Sequence, residues 1–347
     1  MEYFPVLGLV AVLLMTLALP FSVKIIEEEI EIFLFTMGIL SVSISRMWSW
    51  HLILEALKEP IPITLTVLAM GLLFKFTRKK LAAAFRKLQK RIRPDFLVFS
   101  LVLLLGFLSS VITAIIAAIL LSEIVTVMKF KRTYEIRLVV LACFAIGIGA
   151  ALTPLGEPLS TIIVAKLKGE PHNADFFYLL KNLGEWIVPG VVLFALIAAA
   201  GARGNMSGDA GLSEDFEESN KTIFFRAAKV FLFVMALIFL GKGISPLSDK
   251  FAAKMPVEGL FWVNSISAVL DNATLAAAEI VPSLSDRQVT FIVMGLIISG
   301  GMLIPGNIPN IISSSKLNIK SREWARVGLP YGAAFMIIYF LVLYFLA

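Results

Sequence analysis

Apolar runs of about 20 residues recur from one end of this chain to the other, and they decide the solvent in which it folds. A helical segment of that length crosses about 30 Å of hydrocarbon at about 1.5 Å per residue. In hydrocarbon every backbone donor and acceptor must be satisfied within the chain, which leaves helices or a closed barrel. The runs show none of the apolar–polar alternation of barrel strands, so an all-α polytopic membrane protein is expected. Of the 347 residues, 59% are hydrophobic and 16% charged, which is too little polar surface for a soluble domain of this size.

Candidate spans are 4–23, 32–49 and 60–76, followed by a long block at 96–128, a block at 138–167 and a span at 176–202. After a polar linker at 203–221 come 222–241, blocks at 257–280 and 289–317, and a last span at 329–347. The stretch Phe4 to Val23 has no basic n-region and no A-x-A-like site, so it reads as a first span and not as a cleaved leader.

Lys and Arg set the orientation of such a chain. Segment 77–95 (TRKKLAAAFRKLQKRIRPD) carries eight Lys and Arg against one Asp. It reads as a cytoplasmic amphipathic helix on anionic lipid, in preference to a nucleic-acid surface. Segments 129–137 (KFKRTYEIR) and 316–326 (KLNIKSREWAR) are also basic and are expected on the same side. A single crossing by block 96–128 would put one basic segment outside. Its 33 residues suit two arms instead, forming a re-entrant hairpin with Ser109-Ser110 at the tip. Block 257–280 must also turn back if 316–326 is to be cytoplasmic, with its tip near Asp271-Asn272.

The order span, hairpin, interrupted helix, span then occurs at 60–202 and again, upside down, at 222–347, after N-terminal helices in 1–59. The expected fold is two inverted repeats. Each has a re-entrant hairpin (96–128, 257–280) and a broken transmembrane helix (138–167, 289–317), as in many secondary transporters.

Pro and Gly interrupt both broken helices at matching places, Thr153-Pro154-Leu155-Gly156-Glu157-Pro158 and Pro305-Gly306-Asn307-Ile308-Pro309-Asn310. Unwound backbone at midplane depth exposes carbonyl oxygens and half-helix ends, which suits ion coordination. The bland alternative is a pair of structural kinks. Asp271 is the sharpest single residue, because a carboxylate near the bilayer centre is costly unless paired, coordinated or protonated. It reads as a cation ligand or proton carrier, with Asn272 and Thr274 beside it. Glu157 is the second intramembrane acid; if the two share a cavity, each raises the proton affinity of the other. Ser109, Ser110, Thr113, Thr153, Asn307 and Asn310 supply the neutral oxygens that hard alkali ions take. Sodium is expected at Asp271, Asn272 and Ser109.

Glu123 and Glu279 read as interfacial or structural, and Lys166 and Lys316 as side chains reaching from helix ends to the interface. No Lys or Arg lies inside 96–128 or 257–280, which argues against a multivalent anion held by an arginine clamp. Cys143 is alone, and His51 and His172 form no ligand cluster. There is no Walker A loop, no dinucleotide fingerprint and no HExxH motif. The chain is therefore not read as an enzyme, and no cofactor is expected beyond the transported cation. Readings from other classes are an intramembrane hydrolase using Asp271 and Glu157 around a water, and a nonconducting scaffold.

The stretch from Ser267 to Thr274 resembles the second hairpin tip of the ion-transporter superfamily, which contains D-type sodium/proton antiporters, arsenite permeases and dicarboxylate carriers. Leu152 to Pro158 resembles its first broken helix, and Ile304 to Asn310 the second. A small family of predicted cation transporters is similar over about 60–347. The resemblance implies hairpin tips and broken helices meeting at one midplane site, elevator-like alternating access, and often a homodimer. Glu157 stands where those relatives more often have Asn, and Ser109-Ser110 where they have a Ser-Asn pair. The expected function is a sodium/proton antiporter, multi-pass in the cell (plasma or inner) membrane. Its partners are the lipid bilayer and small inorganic ions, with no nucleic acid. The alternative is a sodium- or proton-coupled carrier of a small anion or organic acid.

Overall fold

A computed structural model of the chain describes residues 3–23, 25–26, 29–89, 91–206, 220–252, 256–270 and 272–346. The described residues form helices and short connections without a strand; Phe130 and Met206 make an isolated antiparallel bridge. The first helices are α1 (Tyr3–Ser22), α2 (Ile30–Ser45), α3 (Trp50–Lys58) and α4 (Pro60–Gln89). There follow α5 (Pro94–Ile112), α6 (Ala114–Met128), α7 (Arg132–Ala150), α8 (Pro158–Lys166) and α9 (Tyr178–Ala199). The rest are α10 (Asn220–Ala252), α11 (Val257–Val263), α12 (Asn272–Glu279), α13 (Asp286–Gly300), α14 (Ile308–Leu317) and α15 (Ser321–Leu346). Tight 3₁₀ turns occupy Arg203–Asn205, Asn264–Ala268 and Ile304–Gly306. Among the described residues, six segments are long and apolar enough to cross a membrane: Trp50–Leu73, Pro94–Ile112, Arg132–Ala150, Tyr178–Ala199, Asn220–Pro246 and Ser321–Leu346. This is the helical architecture of a membrane protein.

Basic segment 77–95 is not a separate helix. α4 runs unbroken to Gln89, because Ala, Leu, Lys, Arg and Gln all favour a helix and none of them stops it. Arg93, the N-cap of α5, is kept extended (φ −61°, ψ 137°) by Pro94 after it. The side chains of 77–90 lie outside the described set, as do residues 207–219 of the polar linker.

The first turn-back is not at Ser109-Ser110 either. α5 continues to Ile112, and the break is Thr113 (φ 76°, ψ 149°). Both serines are tolerated in the last turns because their hydroxyls donate to carbonyls three residues back, Ser109 to Gly106 (2.7 Å) and Ser110 to Phe107 (2.7 Å). With 19 residues, α5 is itself long enough to span, whereas α6 has 15. A β-branched residue at positive φ is strained and persists only where its surroundings hold it. Here Ala114 N donates to Gly156 O (2.9 Å), and Thr113 Oγ1 accepts from Ile116 N (3.4 Å). Block 257–280 is interrupted, as expected, between the 3₁₀ turn ending at Ala268 and α12. Asp271, in that interruption, lies outside the described residues.

Helices α7 and α13 form the centre. Every residue from Leu138 to Ala150 is buried, and so is every residue from Val289 to Gly300. A helix with no polar face belongs inside, so these two carry the breaks that follow them into the interior, where unwound backbone is tolerable. α7 packs on α5 and α9; α13 packs on α11, the 264–268 turn and α15. α5 approaches α7 so closely that a Cβ on Gly149 would overlap Gly106 O.

Polar contacts gather the connections at two ends. Arg132 pairs with Glu323 (3.0 Å) and donates to Leu317 O (3.2 Å) and Asn318 O (2.9 Å). Asp95 pairs with Arg203 (2.7 Å), and Lys131 N donates to Asn205 O (2.9 Å). Connections 91–95, 129–131, 203–206 and 318–323 therefore share one end. Elsewhere, His172 Nδ1 lies 2.8 Å from Asp286 Oδ1, joining the α8–α9 connection to the start of α13.

Candidate functional site

The two core helices end in the same way. After α7 the backbone unwinds and restarts with Glu157 as the N-cap of α8; after α13 it restarts with Asn307 as the N-cap of α14. Glu157 (φ −155°, ψ 160°) and Asn307 (φ −155°, ψ 148°) share one extended conformation. Pro158 and Pro309 then occupy first-turn positions, where the missing amide hydrogen costs nothing. Gly306 is required by the return, since a Cβ there would lie 2.7 Å from Ser267 O and 2.9 Å from Ala268 O.

The two turn-backs dock on these breaks. Ser109 Oγ donates to Ile146 O (3.0 Å), and Ser267 Oγ to Leu296 O (3.3 Å). Each carbonyl lies four residues before the last residue of its core helix. Thr153 Oγ1 donates to Ser110 O, and Ser267 Oγ to Asn272 Oδ1. The Asn272 amide packs against Gly300, where a Cβ would come within 2.8 Å of it.

A cleft of about 450 Å³ opens where the four interruptions meet. Thr113, Glu157, Asn272 and Asn307 all line it, as does Glu59 from the α3–α4 junction. Helices α6, α8, α12 and α14 begin at this cleft, so their leading amides and dipoles place partial positive charge on its wall. A carboxylate is stabilised there. Glu157, 7% exposed, occupies one such N-cap, and Asp271 directly precedes α12 in the sequence.

The other residues singled out from the sequence do not line the cleft. Ser109, Ser110 and Thr153 are committed to the backbone contacts just described. Asn310 Nδ2 donates to Gly300 O (2.8 Å) and Leu303 O (2.9 Å), fastening the turn that leads into α14. The Thr274 side chain lies outside the described set. Asn272 Nδ2, Asn310 Oδ1 and Ser160 Oγ are buried without a hydrogen-bond partner among the described residues. Atoms of that kind are where an ion or a water completes the set.

Two further charged contacts bind one half of the chain to the other. Lys316 does not reach to an interface: its Nζ lies 2.6 Å from Glu123 Oε1, with the side chains 11% and 4% exposed. That pair ties α6 to α14. Lys166 joins α8 to the end of α12, donating to Ile280 O (3.2 Å). Glu279 accepts from Asn264 Nδ2 (3.0 Å). Both glutamates are buried with partners, the structural one of their two readings.

The sequence reading passed over Glu59. Its signal was present: His51, Glu55 and Glu59 recur at four-residue intervals and end at Pro60.

No curated protein matches the chain. The model of the family DUF1646, described as a protein of unknown function, matches residues 6–346, and the chain belongs to that family.

Proposed function

We propose that the protein is a secondary active transporter that exchanges a small cation, sodium, for protons by alternating access. The cleft carries this reading. Segments from both halves contribute to it, and its polar lining is two carboxylates, Glu59 and Glu157, with amide and hydroxyl oxygens, the donor set of a hard monovalent cation. Helix N-termini offset the cost of keeping Glu157, and Asp271 beside it in the proposal, ionised at that depth. A proton and a cation then compete for the same acid, which is the simplest form of exchange.

The packing supports two inverted repeats. α4 lies on α6 as α10 lies on α12, and α7 on α9 as α13 on α15. α6 lies on α14 as α12 lies on α8. In the register set by the two serine hydrogen bonds, Ser109 corresponds to Ser267 and Thr113 to Asp271. The sequence match of Ser109-Ser110 with Asp271-Asn272 shifts by four residues, so one tip presents a hydroxyl and the other an acid. The shared end of 91–95 and 129–131 supports a re-entrant hairpin between them. Charge asymmetry puts that end, with basic segments 77–95, 129–137 and 316–326, in the cytoplasm.

One observation favours the second reading, a carrier of a small anion or organic acid coupled to sodium or protons. Four helix N-termini at one cleft attract anions. Proteoliposomes with an internal pH dye separate the two. Antiport is expected to give sodium-dependent proton flux that is lost in Glu157→Gln and Asp271→Asn. Absence of that flux in the wild type overturns antiport, and sodium-driven uptake of a carboxylate establishes the alternative.

A further inference from the structure

One wall of the cleft belongs to neither repeat. Among its described lining residues, Glu59 alone comes from the first 59 residues; the others cluster around the four interruptions. Glu59 is exposed where α3 passes into α4, with its N–H donating to Glu55 O (2.9 Å) and Pro60 following. The backbone is helical through this junction (Glu59 φ −63°, ψ −35°), so Glu55 lies one turn before Glu59 on the same face, and His51 one turn before that. His51 Nδ1 lies 3.5 Å from Glu55 Oε2, at side-chain exposures of 89% and 36%. Two acids, Glu55 and Glu59, thus lie one turn apart on one face of α3, and the second of them lines the cleft that holds Glu157.

We propose that this face of α3 is a cation entry track, with Glu59 as the capturing carboxylate at the cleft and Glu55 one turn before it. The proposal rests on the cation-transport reading and adds the residue that selects the sign of charge before the ion meets Glu157. An exposed carboxylate acts through a field that extends about 10 Å at 0.1 M salt. At the mouth of a low-dielectric cleft such a field concentrates counter-ions and speeds capture, without taking part in the exchange inside. The effect therefore falls on the half-saturating cation concentration and not on the maximal rate.

The test uses the full chain in proteoliposomes, with sodium-driven proton flux titrated at low ionic strength and again with added choline chloride. Glu59→Gln is expected to raise the half-saturating sodium concentration about threefold at low ionic strength. Glu59→Lys is expected to raise it further. Both are expected to converge on the wild type near 1 M salt, where the field reaches only about 3 Å. An active wild type whose Glu59→Gln and Glu59→Lys variants titrate identically to it at low ionic strength overturns the entry track alone. So does a fall in maximal rate with no movement of the half-saturating concentration, which makes Glu59 a structural residue. A wild type without sodium-driven flux removes the transport reading, and the track with it.

Discussion

Replacing Lys316 with methionine removes the cation from a 2.6 Å pair whose side chains are 11% and 4% exposed, while keeping the length of the side chain. The pair joins α6 to α14, elements from opposite halves of the chain. Removing one partner of a buried pair leaves an uncompensated charge and costs about 3–5 kcal/mol. Removing both charges with residues of matched shape is close to neutral. Lys316→Met is therefore expected to cost about 4 kcal/mol, and the Glu123→Gln/Lys316→Met double variant about 1 kcal/mol or less. In thermal melts followed by intrinsic fluorescence in a mild detergent, the single variant should lose about 5–10 °C and the double variant about 2 °C. A Lys316→Met protein that melts with the wild type refutes the reasoning. A double variant no more stable than the single one also refutes it, because side-chain bulk, and not charge, would then hold α6 on α14.

Thr113→Gly relieves the positive φ of 76° and should raise melting stability by about 1 kcal/mol, while the loss of its hydroxyl from the cleft weakens cation affinity in the same preparation. Gly149→Ala drives a methyl into the Gly106 carbonyl, where backbone meets backbone and neither yields easily; a loss of about 3 kcal/mol in the same melts is expected. Asp286 is held below the usual carboxylate range, first by the Tyr178 hydroxyl and then by His172. A depressed carboxyl stabilises the fold above its unfolded value of about 4 and loses that contribution as pH falls further. Melting temperature should therefore drop on acidification below about pH 4, and this component should be missing from Asp286→Asn.

The breaks after α7 and α13 were legible because Pro removes a backbone donor wherever it stands, so Pro154, Pro158, Pro305 and Pro309 announce themselves. The break at Thr113 was not. Threonine carries no helix-breaking chemistry, and its positive φ is imposed from outside by the docking of Ala114 on Gly156. Ser109 and Ser110 looked like a tip because they are polar in an apolar run, yet a hydroxyl inside a helix can satisfy itself on its own backbone. At 77–89 the basic stretch is helical, as read, but continues α4 instead of forming an element of its own, because nothing in it stops a helix. The Glu123–Lys316 pair was illegible for a different reason: its partners are far apart in the chain, and only packing of the two halves brings them together. For the cleft, the sequence marked Glu157, Asn272 and Asn307 through the breaks they occupy, whereas Glu59 sits outside every break, and its four-residue recurrence with His51 and Glu55 gains meaning only from the place of the α3–α4 junction at the cleft.

Equilibrium binding of radioactive sodium to the purified protein reads the cleft itself. Saturable binding is expected that weakens as pH falls, since a protonated carboxylate no longer holds the cation, and that is lost in both Glu157→Gln and Asp271→Asn. Absence of saturable binding at any pH, or binding that survives both substitutions, would contradict a cation site at the meeting point of the four interruptions.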